Sequence, residues 1–302
     1  MLTLVSHDAG GAEILSSYLR RQSVPAVCVL GGPARSIFAR KCAALREAEL
    51  DAALAGASFV LCGTSWQSDL EWQALRRARS LGIPTAAFLD HWVNFRERFV
   101  RNAEQHLPDE IWVGDEYARG IARAAFDGLP VKLVDNPYVD DVRAELDAAV
   151  PRAPRAAGTH VLYVCEPVRE HALRQHGDER FWGYVEEDAA EFFLRHIADA
   201  LPGVARIVVR AHPSEPADKY AWMSDRARAP LEFSRGRSLA EDISAADVVV
   251  GCESMAMVVA LYGGKRVLSS IPPGGRACVL PHAEIQSLSS LLERGTHENR
   301  VA

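Results

Sequence analysis

The stretch from Ala245 to Gly275 constrains the fold of this chain more than any other. Val248 to Val250 are β-branched and continuously apolar, the pattern of a strand buried on both faces of a parallel sheet. Gly251-Cys252-Glu253-Ser254 turns the chain, and Met255 to Tyr262 reads as a short apolar helix. Gly263-Gly264 ends that helix, because glycine accepts the left-handed cap without strain. Arg266-Val267-Leu268 is the next strand, with Pro272-Pro273-Gly274-Gly275 as its exit loop. The unit is strand, helix, strand, with the Ser254 hydroxyl at the helix N-terminus. Free N–H groups and the positive end of the helix dipole meet there, which suits a phosphate.

The rest of the chain repeats this grammar. In the first half, strands Leu2–Val5, Val24–Leu30, Phe59 onward, Thr85–Leu89, the segment after Pro108-Asp109 and Val131–Val134 alternate with helices. The helices are expected after Asp8, over Ala34–Ala48, near Asp51, over Asp69–Leu81 and over Tyr117–Phe126, with a connecting helix over Asp140–Ala149. Pro151 to Gly158 breaks every periodicity and is the best linker. The second half restarts with strand His160–Cys165. An irregular polar stretch follows over Arg169–Gly183, then an amphipathic helix over Glu186–Leu201 and a strand over Arg206–Arg210. A short strand ends at Phe233; Ser238 and Glu241 have the spacing of a capping box before the helix that ends at Ala245. A last helix is expected over Glu284–Leu292, with a frayed tail from Thr296. A chain of 302 residues suits two domains of about 150 residues each, placed at 1–150 and 158–302. The fold class is α/β, two Rossmann-like domains facing across a cleft.

Candidate chemistry gathers where strands end. His7 and Asp8 follow the first strand, with Gly10 and Gly11 behind them; Asp8 is either a ligand-facing carboxylate or the cap of the next helix. Asp90-His91-Trp92-Val93-Asn94-Phe95-Arg96-Glu97-Arg98-Phe99 concentrates acid, imidazole and guanidinium after the strand that ends at Leu89. His91 or Asp90 is the first choice of base, with His7 or Asp8 in reserve. In the second half Arg210 and His212 end one strand, and Gly251, Glu253 and Ser254 end another; Arg forks onto phosphate oxygens and imidazole donates one hydrogen bond. Arg96 and Glu166 are further loop contacts.

Net charge of −6 argues against general nucleic-acid binding, and no apolar run approaches the roughly 20 residues of a membrane-spanning helix. The first residues read as a strand and not as a signal peptide. Six cysteines without a CxxC pair are expected to be reduced core thiols, so no structural zinc is expected and the compartment is cytoplasmic.

The motifs also resemble a family. Ala246-Asp247, the apolar strand, Gly251, Ser254 and Gly264-Lys265 are similar to the nucleotide-binding half of GT-B glycosyltransferases and sugar-nucleotide epimerases, as is the Pro108-Asp109 re-entry to the sheet. The family's Glu late in the helix, which holds the nucleotide ribose, has no match in Val258-Val259-Ala260-Leu261; Glu253 stands at the turn instead. Arg210-Ala211-His212-Pro213 resembles the Arg/Lys-Pro-His-Pro element of capsule-polymer and teichoic-acid transferases, and sialyltransferases carry a His-Pro element too. That resemblance implies His212 on the donor phosphate, and a donor linked to cytidine.

The leading expectation is a transferase of surface-polysaccharide or glycoconjugate synthesis. It would move a sugar or polyol phosphate from a nucleotide-activated donor to a glycan, lipid-linked or protein hydroxyl, at the inner membrane face if the acceptor lies there. No Asp-x-Asp pair is present, so neither metal nor further cofactor is expected. A hydrolysing 2-epimerase and a non-catalytic binding subunit are the alternatives. A dehydrogenase is disfavoured by the lack of GxGxxG after the first strand. Oligomeric state is not written in the sequence.

Overall fold

The computed structural model describes residues 1–22, 24–65, 68–149, 157–216 and 218–301. The chain divides into two compact units, Met1–Asp141 and Val142–Ala302. Of the expected linker, 151–156 lie outside the described residues.

The first unit runs β1 (Leu2–Ser6), α1 (Ala9–Arg21), β2 (Ala26–Leu30), α2 (Ala34–Lys41), α3 (Leu50–Leu54), β3 (Phe59–Cys62), α4 (Leu70–Ser80) and β4 (Thr85–Leu89). A 3-10 turn (Glu97–Phe99) leads to the hairpin β5 (Val100–Arg101) and β6 (Glu104–Gln105). The unit then continues with β7 (Glu110–Val113), α5 (Glu116–Ala125), β8 (Val131–Leu133) and α6 (Pro137–Ala148), in which the division between units falls. Its main sheet has the order β2-β1-β3-β4-β7-β8, and every neighbouring pair is parallel. Parallel strands require helical crossovers that cover both sheet faces, so central strands are buried and mostly apolar, as in the fully buried run Thr85–Leu89.

The second unit contains β9 (Thr159–Val164), α7 (Val168–His176), α8 (Glu186–Ala200), β10 (Val204–Arg210), α9 (Met223–Arg226), β11 (Leu231–Phe233) and α10 (Leu239–Ala245). It ends with β12 (Val248–Gly251), α11 (Met255–Tyr262), β13 (Arg266–Ser269), β14 (Ile285–Ser287) and α12 (Leu288–Val301). Its sheet has the order β11-β10-β9-β12-β13-β14, again wholly parallel. Two parallel six-stranded sheets with covering helices are the expected fold class.

In each sheet the chain steps outward from a central strand and then returns to that strand's other side. The reversal lies between β1 and β3 in the first unit and between β9 and β12 in the second. At such a switch point adjacent crossovers leave in opposite directions, so the loops beyond the carboxyl ends part and open a crevice. His7 and Thr64 flank the first reversal, Glu166 and Glu253 the second.

Three expected elements differ. The helix from Ala34 stops at Lys41, because 46–48 run beside the edge strand β2 instead: Cys28 donates to the Arg46 carbonyl (2.8 Å) and accepts from Ala48 N–H (3.0 Å). The polar stretch after Arg169 contains helix α7. Only Val168 and Ala172 of it are buried, too thin a stripe to show as periodicity, and Gly177 caps it at φ +74°. Ile285–Ser287 is an edge strand on β13, and the helix begins after it and continues to Val301. Among the described residues no helix is long and apolar enough to cross a membrane.

Candidate active site

β1 brings His7 to the carboxyl edge of the first sheet. Its backbone N–H donates to Glu71 Oε1 (2.7 Å), and its ring Nδ1 lies 2.8 Å from Asp8 Oδ1. A carboxylate accepts, so Nδ1 carries the proton and the lone pair sits on Nε2. That is the tautomer of a general base held by an acid. Asp8 is at the N-cap position of α1 but makes no side-chain capping bond; its carboxylate serves the imidazole instead. The ring needs glycine beside it, since a Cβ on Gly31 or Gly32 would come within 2.7 Å or 2.6 Å of its atoms, and Gly32 has φ +44°.

Glu71, in the first turn of α4, is 4% exposed. Burial pushes its carboxyl up to about 7, and the charge of Asp8 adds to this against the N–H bonds it accepts. Its Oε2 is buried with no hydrogen-bond partner among the described residues.

Asp90, at the end of β4, faces the first turn of α1: a Cβ on Gly10 would fall 1.9 Å from its Oδ2. Glycine there lets a carboxylate meet the positive helix end. Gly11 packs on Gly63, where a Cβ would lie 3.1 Å from Gly63 Cα, drawing the loops after β1 and β3 together. Arg98 straps the same corner through Asp90 Oδ1 (2.7 Å), Thr64 Oγ1 (2.8 Å) and the Thr64 carbonyl (3.1 Å).

The other members of the expected 90–99 cluster are used differently. His91 Nδ1 accepts from the Trp92 N–H (2.9 Å), so in the neutral ring Nε2 bears the proton and is a donor. Trp92 Nε1 donates to the Asp115 carboxylate (3.0 Å), and exposed Arg96 lies over the Phe126 ring (5.9 Å).

In the second unit β9 delivers Glu166 to the reversal. Its Oε2 accepts from Glu253 N–H (2.7 Å), and the N–H groups of Cys252 and Ser254 also point to this carboxylate. Desolvation pushes Glu166 up to about 8 and the neighbouring Glu253 charge adds, while the amides pull the other way. The amides of the turn expected to meet a phosphate therefore hold the chain's own acid. Ser254 Oγ caps α11 by accepting from Ala256 N–H (3.2 Å). Gly251 is required by close packing, since a Cβ would meet Val164 Cγ2 at 2.7 Å. Glu253 pairs with Arg276, whose guanidinium lies over Trp182 at 4.4 Å. Burial raises the Glu253 carboxyl, and Arg276 opposes this.

Arg210 Nη1 is bound to the buried Asp242 (2.6 Å), Ser234 Oγ (3.3 Å) and the Arg237 carbonyl (3.0 Å). His212 Nδ1 accepts from Ser214 N–H (3.2 Å), which puts the neutral ring's proton on Nε2 as a donor. Glu215 anchors this loop by taking His212 N–H (3.2 Å), Tyr220 Oη–H (2.8 Å) and Lys219 (2.8 Å); Lys219 also reaches Glu186.

The expected site residues thus fall into two clusters: His7, Asp8, Gly10, Gly11 and Asp90 in one unit, Glu166, Gly251, Glu253 and Ser254 in the other, with His212 one strand away. Sequence reasoning missed Glu71, Thr64, Arg98, Arg276 and the Glu215–Lys219–Glu186 network. Only Arg98 carried a signal, lying in the dense loop after β4.

No family model matches the sequence, and no curated protein matches it. Solved structures do. A putative UDP-N-acetylglucosamine 2-epimerase from Listeria monocytogenes is 10% identical with a TM-score of 0.56, over 99% of this chain and 88% of that one. A glycotransferase of kitacinnamycin is 13% identical with a TM-score of 0.55, over 99% of this chain and 94% of that one. At these identities the likeness is one of fold alone, that of two parallel α/β sheets in one chain.

Proposed function

We propose that this protein is a glycosyltransferase-like enzyme that moves a sugar or polyol phosphate from a nucleotide-activated donor to a hydroxyl acceptor. The observation that carries the reading is the His7–Asp8 pair at the first switch point, 2.8 Å apart with the imidazole poised to accept at Nε2. In this reading His7 takes the proton of the acceptor hydroxyl as that oxygen attacks the anomeric carbon or phosphorus, and Asp8 steadies the imidazolium that forms. The second unit holds the donor, with His212 donating from Nε2 to a phosphate oxygen. The His-Pro element favours a cytidine nucleotide. The acceptor is a glycan, a lipid-linked saccharide or a protein, as in surface-polysaccharide synthesis on the cytoplasmic side, and neither metal nor cofactor beyond the donor enters the scheme.

A hydrolysing nucleotide-sugar 2-epimerase is the second reading. It is favoured by the carboxyl of Glu71 beside the His7–Asp8 pair, a group that exchanges a proton near neutral pH. A thermal-shift panel of CMP, CDP, UDP, GDP and ADP identifies the nucleotide; a ligand at 100 times its dissociation constant adds about 2.7 kcal/mol. Nucleotide release from the matching sugar donor then separates the two. Release that requires an acceptor supports transfer, and release without one supports hydrolysis. A flat panel with no release overturns both and leaves a non-catalytic binding subunit.

A further inference from the structure

We propose that Glu71 is the positioning residue of the His7–Asp8 pair: its carboxylate takes the backbone N–H at which β1 ends, and so fixes where the imidazole stands. The inference rests on the functional reading above for its kinetic part only.

Three observations carry it. The bond is short, 2.7 Å from His7 N to Glu71 Oε1, and joins residues 64 apart in sequence across the first switch point. Glu71 is held by a rigid element, the first turn of α4, and the Gly11–Gly63 contact lets β1 and β3 bring it within reach. Its other oxygen is buried without a partner among the described residues, an arrangement that solvation or core packing alone would not favour. The titratable groups that face Glu71 are His7 and Asp8 from the exit of β1 and Cys62 from β3. An ionised Glu71 is a stronger acceptor for the His7 amide than a protonated one. Because burial moves its titration to about 7, the positioning bond strengthens as pH rises through neutrality.

The test uses the full-length chain. In ¹⁵N spectra of the His7→Gln protein, where no imidazole titrates at that position, the amide at position 7 is followed from pH 5 to 9. It is expected to inflect near neutral pH, and the inflection is expected to vanish in the double variant with Glu71→Gln. Glu97→Gln, on an exposed turn, serves as the control that leaves it in place. Glu71→Gln keeps the side-chain volume and one acceptor oxygen, so unchanged spectra elsewhere establish that it folds. In turnover, kcat of Glu71→Gln is expected to fall about tenfold at pH 8 with KM within twofold. The deficit should shrink toward one at pH 5.5, where the wild-type acid is neutral too; a merely structural role gives a pH-independent deficit. Identical amide titrations in the single and double variants overturn the proposal, as does a kcat ratio that does not change with pH. If the wild type turns over no nucleotide-activated donor, the functional reading falls while the amide titration still decides the positioning role.

Discussion

The two switch points solve the same problem with the same group and reach opposite results. In both, a carboxyl with its titration shifted toward neutrality accepts backbone N–H at the carboxyl edge of a parallel sheet. In the first unit the acid comes from the helix after β3 and grips the exit of β1, leaving the side chains of His7 and Asp8 free to act on each other. In the second, Glu166 comes from the loop after β9 and fills the turn before α11, so the amides there are consumed and the neighbouring acid Glu253 is held by Arg276. An acid that fixes backbone from outside leaves chemistry exposed. One that enters the turn itself makes a scaffold.

Removal of the imidazole breaks the comparison most sharply. His7→Gln is expected to lower turnover 10²–10⁴-fold, the range of a lost general base, with nucleotide-induced thermal shift retained. A loss of nucleotide binding of similar size would place His7 in the donor site instead. Glu166→Ala strands buried amides in the second unit and is expected to cost about 3 kcal/mol in denaturant unfolding, with Glu166→Gln much milder.

The two acids also set a pH dependence, and its sign follows from their direction. Both bind a proton more tightly folded than unfolded, so their stabilising contribution is complete below the usual carboxyl range near 4.5 and is lost as pH rises through about 7 for Glu71 and about 8 for Glu166. For Glu71 the linkage is worth at most about 3 kcal/mol. Glu71→Gln should therefore be more stable than the wild type at pH 8 and lose that advantage by pH 4, while its turnover is lower. Higher stability beside lower activity is the outcome that distinguishes a positioning acid from a packing one.

Smaller effects sharpen the contrast. Gly10→Ala drives a methyl into Asp90 and disturbs its bond to Arg98; about 1–3 kcal/mol is expected in thermal unfolding. Ser254→Ala removes a helix cap worth about 1 kcal/mol. If Ser254→Ala instead weakens nucleotide binding more than tenfold without that loss, the second switch point binds phosphate through its hydroxyl and the contrast narrows.

Local pattern was enough for much of this. The apolar run Val248–Val250, the helix Met255–Tyr262 and the box formed by Ser238 and Glu241 stand as their residues predict, because strand burial, capping and glycine termination depend on neighbours a few residues apart. Helix α7 escaped notice because its buried face is two residues wide, and the early end of α2 because the open edge of β2 drew 46–48 into its hydrogen bonding. The sequence placed His7, Asp8, His91 and Asp90 at strand ends but ranked His91 first, since density of chemistry in a loop was the only guide.

The sequence by itself determined that strands and helices alternate, that the strands are parallel and buried, and that the reactive side chains lie in the loops at their ends. Tertiary structure alone decided which acids are buried and hold protons near neutrality. Those acids grip amides 64 and 87 residues away, Glu71 that of His7 and Glu166 that of Glu253, and their shifts come from the water that burial excludes. Residue type sets what a group can do; the burial and the partners that the folded sheet gives it set what it does.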